Sequence, residues 1–238
     1  MQTIALVSQK GGTGKSTLAI GLAIAAMQDG HKVCLLEADP QGTVSNWRRR
    51  RAQAEPAVET VADGAEFAHR LPFLARCGVT LAIIDTAAGH SAAAEAAIGA
   101  ADLGLIPARP SPADIEAAAP TLAAVRAGDK PFAFVLNQTP VRSFRIADAA
   151  GALSDTAISL NASGMLALPY IVLRNDQQDA LGGGLAVTEY ALGGKSAEEI
   201  RSLWRWVSSR LAVAAPAEAQ IDLGAAAANS EADLRAAG

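Results

Sequence analysis

Aromatic residues are scarce in this chain of 238 residues, at 4%, and it carries only 2 cysteines, 3 methionines and 3 histidines. Cys34 and Cys77 do not stand at metal-ligand spacing, which argues against a zinc or iron–sulfur framework, and they read as reduced thiols. His31, His69 and His90 are scattered along the chain and form no constellation. No apolar run approaches the ~20 residues that span a bilayer. No leader of the secretory type precedes the first strand pattern, so the chain is expected to be cytoplasmic. A net charge of −4 argues against a protein that coats nucleic acid with its whole surface, although it leaves room for a local basic patch. What is abundant is small and apolar. Hydrophobic residues make up 50% of the chain, with much alanine, which favours helices packed closely on a sheet.

The most informative stretch is Lys10-Gly11-Gly12-Thr13-Gly14-Lys15-Ser16-Thr17. It follows the apolar run Thr3-Ile4-Ala5-Leu6-Val7 and leads into a helical pattern from Leu18 to Met27. Strand, glycine-rich turn and helix is the context a phosphate-binding loop requires. Glycines let successive backbone N–H groups curl around an anion, and the helix adds its N-terminal dipole. In such a loop Lys15 neutralises the β- and γ-phosphates of ATP and the Ser16 hydroxyl ligates Mg²⁺. The usual glycine at the head of the motif is replaced by Gln9, and a second lysine, Lys10, stands next to it.

Apolar runs alternate with helical patterns along most of the length. Strands are expected at 2–8, 32–37, 79–85, 102–107, 131–137 and 165–168, and helices at 15–29, 41–53, 63–76, 90–100, 112–127, 142–154 and 196–212. Continuous apolar runs such as Val79-Thr80-Leu81-Ala82-Ile83-Ile84 suit strands buried on both faces of a parallel sheet. The fold class read from this alternation is α/β, a doubly wound, mostly parallel sheet flanked by helices, with ligands at the carboxyl ends of the strands.

Further chemistry sits at those strand ends. Leu35-Leu36-Glu37-Ala38-Asp39-Pro40-Gln41-Gly42 places two carboxylates at spacing i, i+2, on one side of an extended chain. Ile83-Ile84-Asp85-Thr86-Ala87-Ala88 ends four apolar residues in an aspartate able to hold Mg²⁺ through water. Phe134-Val135-Leu136-Asn137 ends in an amide whose donor and acceptor suit an adenine edge. Arg48-Arg49-Arg50-Arg51 can contact nucleic acid, or be a solvated or internally paired face. Residues 174–195 are rich in turn residues. Ser196 with Glu199 has the spacing of a capping box at a helix start, followed by the apolar stripe Ile200, Leu203, Trp204, Val207 and Leu211.

In this order the motifs resemble those of the ParA/MinD family of ATPases, a P-loop NTPase family with a deviant Walker A loop. Lys10 to Thr17 is similar to that loop, and Glu37 to Gly42 is similar to its Walker A′ motif Asp-x-Asp-Pro-Gln-Gly, with Glu37 replacing the first aspartate. Asp85 occupies the Walker B place, with Ala87 and Ala88 where the family commonly has prolines. The resemblance covers nearly residues 1–212 and is nearest the short ParA proteins without an N-terminal helix-turn-helix domain. It leaves 213–238 as an alanine-rich acidic tail, expected to be flexible and unlike the basic membrane helix of MinD-type proteins.

The resemblance implies a slow ATPase that forms a homodimer on ATP, with Gly11, Gly12, Thr13, Gly14, Lys15, Ser16 and Thr17 cradling the phosphates. Lys10 would reach the partner's phosphates, Asp39 would position the attacking water, and Ser16, Asp85 and Glu37 would serve Mg²⁺. Asn137 and Pro169 would flank the adenine. It further implies non-specific binding to nucleoid DNA through Lys195, Arg201 and Arg205, and a ParB-like or adaptor protein that stimulates hydrolysis. The stretch Pro110-Ser111-Pro112-Ala113-Asp114 is similar to one that faces the dimer partner, and is also readable as a plain loop into a helix. Either DNA or a protein assembly would be the cargo, and a metal-cluster carrier of the wider superfamily is disfavoured by the cysteine spacing.

Overall fold

The computed structural model describes residues 1–158 and 165–214. Most of the tail considered above, 213–238, therefore lies outside the described residues. Six strands, β1 (Gln2–Leu6), β2 (Val33–Ala38), β3 (Ala57–Thr60), β4 (Leu81–Thr86), β5 (Leu103–Ala108) and β6 (Phe132–Leu136), form one sheet in the order β3-β2-β4-β1-β5-β6. Every adjacent pair is parallel. The helices are α1 (Lys15–Gln28), α2 (Thr43–Arg50), α3 (Phe67–Arg76), α4 (Ala92–Ala100), α5 (Pro112–Ala127), α6 (Phe144–Ile158), α7 (Asn175–Gly182), α8 (Val187–Tyr190) and α9 (Lys195–Ala214).

Period-two alternation divides the strand residues between two cores. Ile4 and Leu6 of β1 face a layer that includes α1 and α9, while Ala5 and Val7 face the layer of α3, α4, α5 and α6. With both faces covered, the strands read as near-continuous apolar runs, the pattern seen in the sequence. The α9 stripe behaves as expected, with Ile200, Leu203, Trp204, Val207 and Leu211 all at most 3% exposed. Burial of five such side chains is worth on the order of 10 kcal/mol, enough to hold this helix against α1.

The sheet differs from expectation at its edges. β3 is missing from the sequence reading because Ala57-Val58-Glu59-Thr60 is a short edge strand with no apolar run. The strand expected at 165–168 is reduced to a single bridge between Phe134 and Leu166. The turn-rich 174–195 contains two short helices, α7 and α8, whose glycines lie at and beyond their ends. Ser196 and Glu199 do not form the expected capping box. α9 already begins at Lys195, and the Ser196 hydroxyl donates to Asp176 at 2.8 Å. The Glu199 carboxylate takes both Arg174 nitrogens at 2.8 Å and the Val172 N–H at 3.0 Å. Tertiary partners replace the local cap because the part-buried guanidinium–carboxylate fork is the stronger arrangement.

Candidate nucleotide-binding site

The carboxyl ends of β1, β2 and β4 meet at one edge of the sheet. Register sets the geometry, since Leu6 pairs with Asp85 across β1 and β4, and Glu37 pairs with Asp85 across β2 and β4. The loop from Lys10 to Gly14 closes over this edge and runs into α1. Gly14, the residue before α1, adopts φ +90° and offers no side-chain cap, so the first-turn N–H groups of the helix stay available to an anion. A Cβ on Gly14 would collide with the Asn137 amide nitrogen, so only glycine fits there.

A cavity of about 580 Å³ opens beside the loop, lined by Gly11, Gly12, Gly14, Lys15, Ser16 and Thr17 on one side. Asp39, Pro40, Gln41, Thr43, Ala87 and Ala88 line the other. Thr13 is buried beneath the loop, where its hydroxyl lies 3.0 Å from the Ser8 hydroxyl. Lys15 is buried and donates to the Ser8 hydroxyl at 3.0 Å. Burial lowers the Lys15 ammonium pKa, while Asp85 and Asp39 push it back up. Ser8 was not singled out from the sequence; its one signal is a hydroxyl at the exit of the first strand.

Asp85 is fully buried and neither carboxylate oxygen has a hydrogen-bond partner among the described residues. Burial pushes it up to about 7, against the pull of the nearby Ser16 hydroxyl and Lys15 ammonium. Two orphaned carboxylate oxygens beside a serine hydroxyl are a donor set that suits a hard divalent cation, so the residues present fit Mg²⁺.

Glu37 has a different set of partners. Its carboxylate accepts from the Val44 N–H at 2.6 Å, the Ser45 N–H at 3.0 Å and the Ser45 hydroxyl. Gly42 at the helix start carries no side chain to cap α2, and Glu37 caps it from the neighbouring strand. The extra methylene relative to aspartate supplies the reach, and Glu37 does not line the cavity. Asp39 does line it, and its carboxylate accepts the Gln41 N–H at 2.9 Å, holding the Pro40-Gln41 turn.

Asn137 is buried and donates to the Thr13 carbonyl at 2.7 Å, and Gln138 donates to the Gly12 carbonyl at 2.9 Å. Both therefore brace the loop from the end of β6. Asn137 also lines a smaller cavity of about 60 Å³ with Gly14, Thr17, Val172, Leu173 and Arg174. Pro169 lies outside that lining, and the chain that closes this side is 172–174.

Lys10 stands on the far rim. Its ammonium is 3.1 Å from Asp114, which also accepts the Arg109 Nε–H at 2.9 Å and the Ser111 hydroxyl. Burial would raise the Asp114 carboxyl, yet the hydrogen bonds from Arg109, Ser111 and Lys10 hold it below its ordinary value. Ser111 also caps α5, followed by Pro112 at its first position, as expected.

The basic stretches separate. Arg51 is buried, stacks over Trp47 and forms a fork with Glu189 at 2.7 and 2.8 Å. Arg50 donates to the Leu181 carbonyl and Arg48 to the Ala54 carbonyl. This stretch is internally paired, and it ties α2 to α7 and α8. Arg201 and Arg205 share Glu198 on an exposed part of α9, while Lys195 stands exposed at its start.

Comparison with known proteins agrees with this construction. Residues 4–187 match the family model described as the CobQ/CobB/MinD/ParA nucleotide binding domain. Maintenance of carboxysome distribution protein A of Gloeobacter kilaueensis is 36% identical over 118 residues, 48% of this chain and 52% of that protein. Protein VirC1 of Rhizobium radiobacter is 32% identical over 131 residues, 51% of this chain and 54% of that protein. The chain thus spans about half the length of these curated relatives. The solved structure of apo McdA from Cyanothece superposes with a TM-score of 0.72 at 20% identity, covering 89% of this chain and 99% of that one. With the loop, the two strand-end aspartates and the family model in agreement, the chain belongs to the CobQ/CobB/MinD/ParA family of nucleotide-binding domains.

Proposed function

We propose that this protein hydrolyses ATP slowly, forms a homodimer on ATP, and uses the cycle to partition or position a cargo over nucleoid DNA. The observation that carries the reading is the burial of Lys15 beside a cavity shared by the glycine loop and Asp39, with unpartnered Asp85 beneath. The loop N–H groups and Lys15 bind the phosphates, and Lys15 exchanges its Ser8 partner for a phosphate oxygen. Ser16 and Asp85 hold Mg²⁺, which neutralises charge on the β- and γ-phosphates when bound. Asp39 releases the Gln41 N–H and orients a water in line with the γ-phosphorus. The water oxygen bonds to phosphorus, the bond to the bridging oxygen breaks, ADP keeps that electron pair, and the water proton leaves with phosphate. Asn137 exchanges the Thr13 carbonyl for the base, and Pro169 remains the outer candidate on that side. Lys10 leaves Asp114 to reach the phosphates of a second copy.

A relative named for carboxysome distribution favours a protein assembly as cargo, whereas the chromosome partitioning protein ParA of Caulobacter vibrioides favours DNA. A sequence-specific DNA-binding partner supports the second, and an adaptor of a protein assembly the first. The nucleotide site is tested by Lys15→Ala. Wild-type protein is expected to bind ATP with Mg²⁺ and turn it over, and the variant to lose at least 100-fold in ATP affinity by calorimetry. ATP affinity retained in the variant would overturn the assignment.

A further inference from the structure

Arg109 has no place in the chemistry described so far, and its position asks for one. Asp114 is 3% exposed and holds two cations at once, Lys10 on Oδ2 at 3.1 Å and Arg109 on Oδ1 at 2.9 Å. Capping of α5 is already served by the Ser111 hydroxyl, so neither cation is needed there. One of them would neutralise the carboxylate, and the second leaves the cluster with a net positive charge. Only the Nε–H of Arg109 is engaged with Asp114, which leaves the two terminal nitrogens of the fork pointing elsewhere. One of these, Nη1, lies 3.9 Å from where a Cβ on Gly12 would stand, so the guanidinium sits against the outer side of the phosphate loop.

The sheet order decides which nucleotide this fork can meet. β1 lies between β4 and β5, so the loop after β1 has Asp85 and Ala88 on one flank and Arg109 on the other. The cavity that would take the chain's own phosphates opens on the first flank, and Arg109 lines neither it nor the smaller cavity beside Asn137. Its side chain is 35% exposed, next to that of Lys10 at 38%, and neither residue lines the nucleotide cavity. A part-exposed cation beside a nucleotide loop but outside its cavity, held by a buried carboxylate, is arranged to serve a phosphate brought by another molecule.

We propose that Arg109 is a second trans-acting cation, which Asp114 holds in register with Lys10 and which touches the triphosphate bound by the partner copy. This rests on the ATP-dependent dimer proposed above. Arg109 would add hydrogen bonds to the equatorial oxygens of the transferred phosphoryl group, where charge is spread in the transition state. Its planar fork directs two N–H groups at once, which the single ammonium of Lys10 cannot do.

The experiment mixes two variants of the full chain. Arg109→Ala alone is expected to bind ATP as the wild type does and to lose at least 10-fold in turnover. Asp39→Ala alone is expected to be inactive because its own water is not positioned. In a heterodimer, the site on the Arg109→Ala subunit keeps Asp39 and faces the intact Arg109 of its partner. Equal mixing should therefore restore about a quarter of the wild-type rate, since half the dimers are mixed and each has one competent site. Absence of rescue places Arg109 in its own subunit's site and overturns the trans assignment. Wild-type turnover in Arg109→Ala overturns any role in hydrolysis. Arg109→Lys, which keeps the charge without the fork, should fold like the wild type and hydrolyse ATP at an intermediate rate. A wild-type protein that neither binds nor hydrolyses ATP would instead sink the nucleotide reading itself, a result distinct from either of these.

Discussion

Asp85 and Glu37 are register partners on adjacent strands, and like charges side by side repel. The fold resolves this by giving the Glu37 carboxylate to the first turn of α2, while Asp85 remains buried and without a hydrogen-bond partner among the described residues. With Asp85 raised to about 7, this carboxyl keeps its proton in the ligand-free fold after the unfolded chain has lost it near the ordinary value of 3.8. The folded state binds the extra proton between these values, so the stability Asp85 contributes is fully present below about 3.8 and is lost as pH rises through about 7. Asp85→Asn, neutral throughout, should match the wild type near pH 4 and exceed it at pH 8 by on the order of 4 kcal/mol in ligand-free urea melts. A variant no more stable than the wild type at pH 8 would show that Asp85 carries no burial penalty. The motif placed Asp85 at the site, but its lack of partners depends on how β2 and α2 close around it.

At the scale of elements, α2 is joined to α8 by an ion pair that no local pattern announces. Arg51 and Glu189 lie 138 positions apart, and the Arg51 side chain is only 2% exposed. Burial would raise the Glu189 carboxyl, but Arg51 and the Ala186 N–H more than offset it, and the pKa ends below its ordinary value of 4.5. A depressed carboxylate contributes stability that is present above about 4.5 and is lost as pH falls through the folded value. Glu189→Gln should cost about 2–3 kcal/mol at pH 7, because it leaves the buried guanidinium without its counter-charge. The gap to the wild type should close as pH falls below that lowered value, which acid-dependent melts would show; a pH-independent gap would mean the loss is one of packing alone. The arginine run was legible as a run, and its division into buried and surface members was not. Four consecutive residues point in four directions around a helix, and only the packing of α7 and α8 on α2 decides which of them is covered.

At the scale of the molecule, α9 packs against α1 in the helix layer on one face of the sheet. Among the described residues no helix is long and apolar enough to cross a membrane. The basic residues of α9 proposed to meet DNA, Lys195, Arg201 and Arg205, lie on an element docked against α1, so a charge reversal there leaves the nucleotide loop untouched. Arg201→Glu combined with Arg205→Glu should reduce ATP-dependent retention on plasmid DNA at least 10-fold at low salt without altering ATP affinity. Undiminished retention in a filter assay would move the DNA contact elsewhere. The pairing of both arginines with Glu198 is exposed and therefore weak, and a phosphate oxygen competes with it readily.

From the sequence alone followed the αβ alternation, the glycine loop, the strand-end aspartates Asp39 and Asp85, and the apolar stripe of α9. Each is a short-range pattern whose spacing is set by the period of one element. Tertiary structure decided which partners those residues take. It gave Glu37 to a helix start, Asn137, expected beside the adenine, to the Thr13 carbonyl of the loop, Ser196 and Glu199 to α7 and the chain before it, and Arg109 to the carboxylate that also holds Lys10. A polar side chain in a closed fold goes to the donor or acceptor that leaves least unpaired. That choice spans strands and helices far apart in the chain, where no local period can record it.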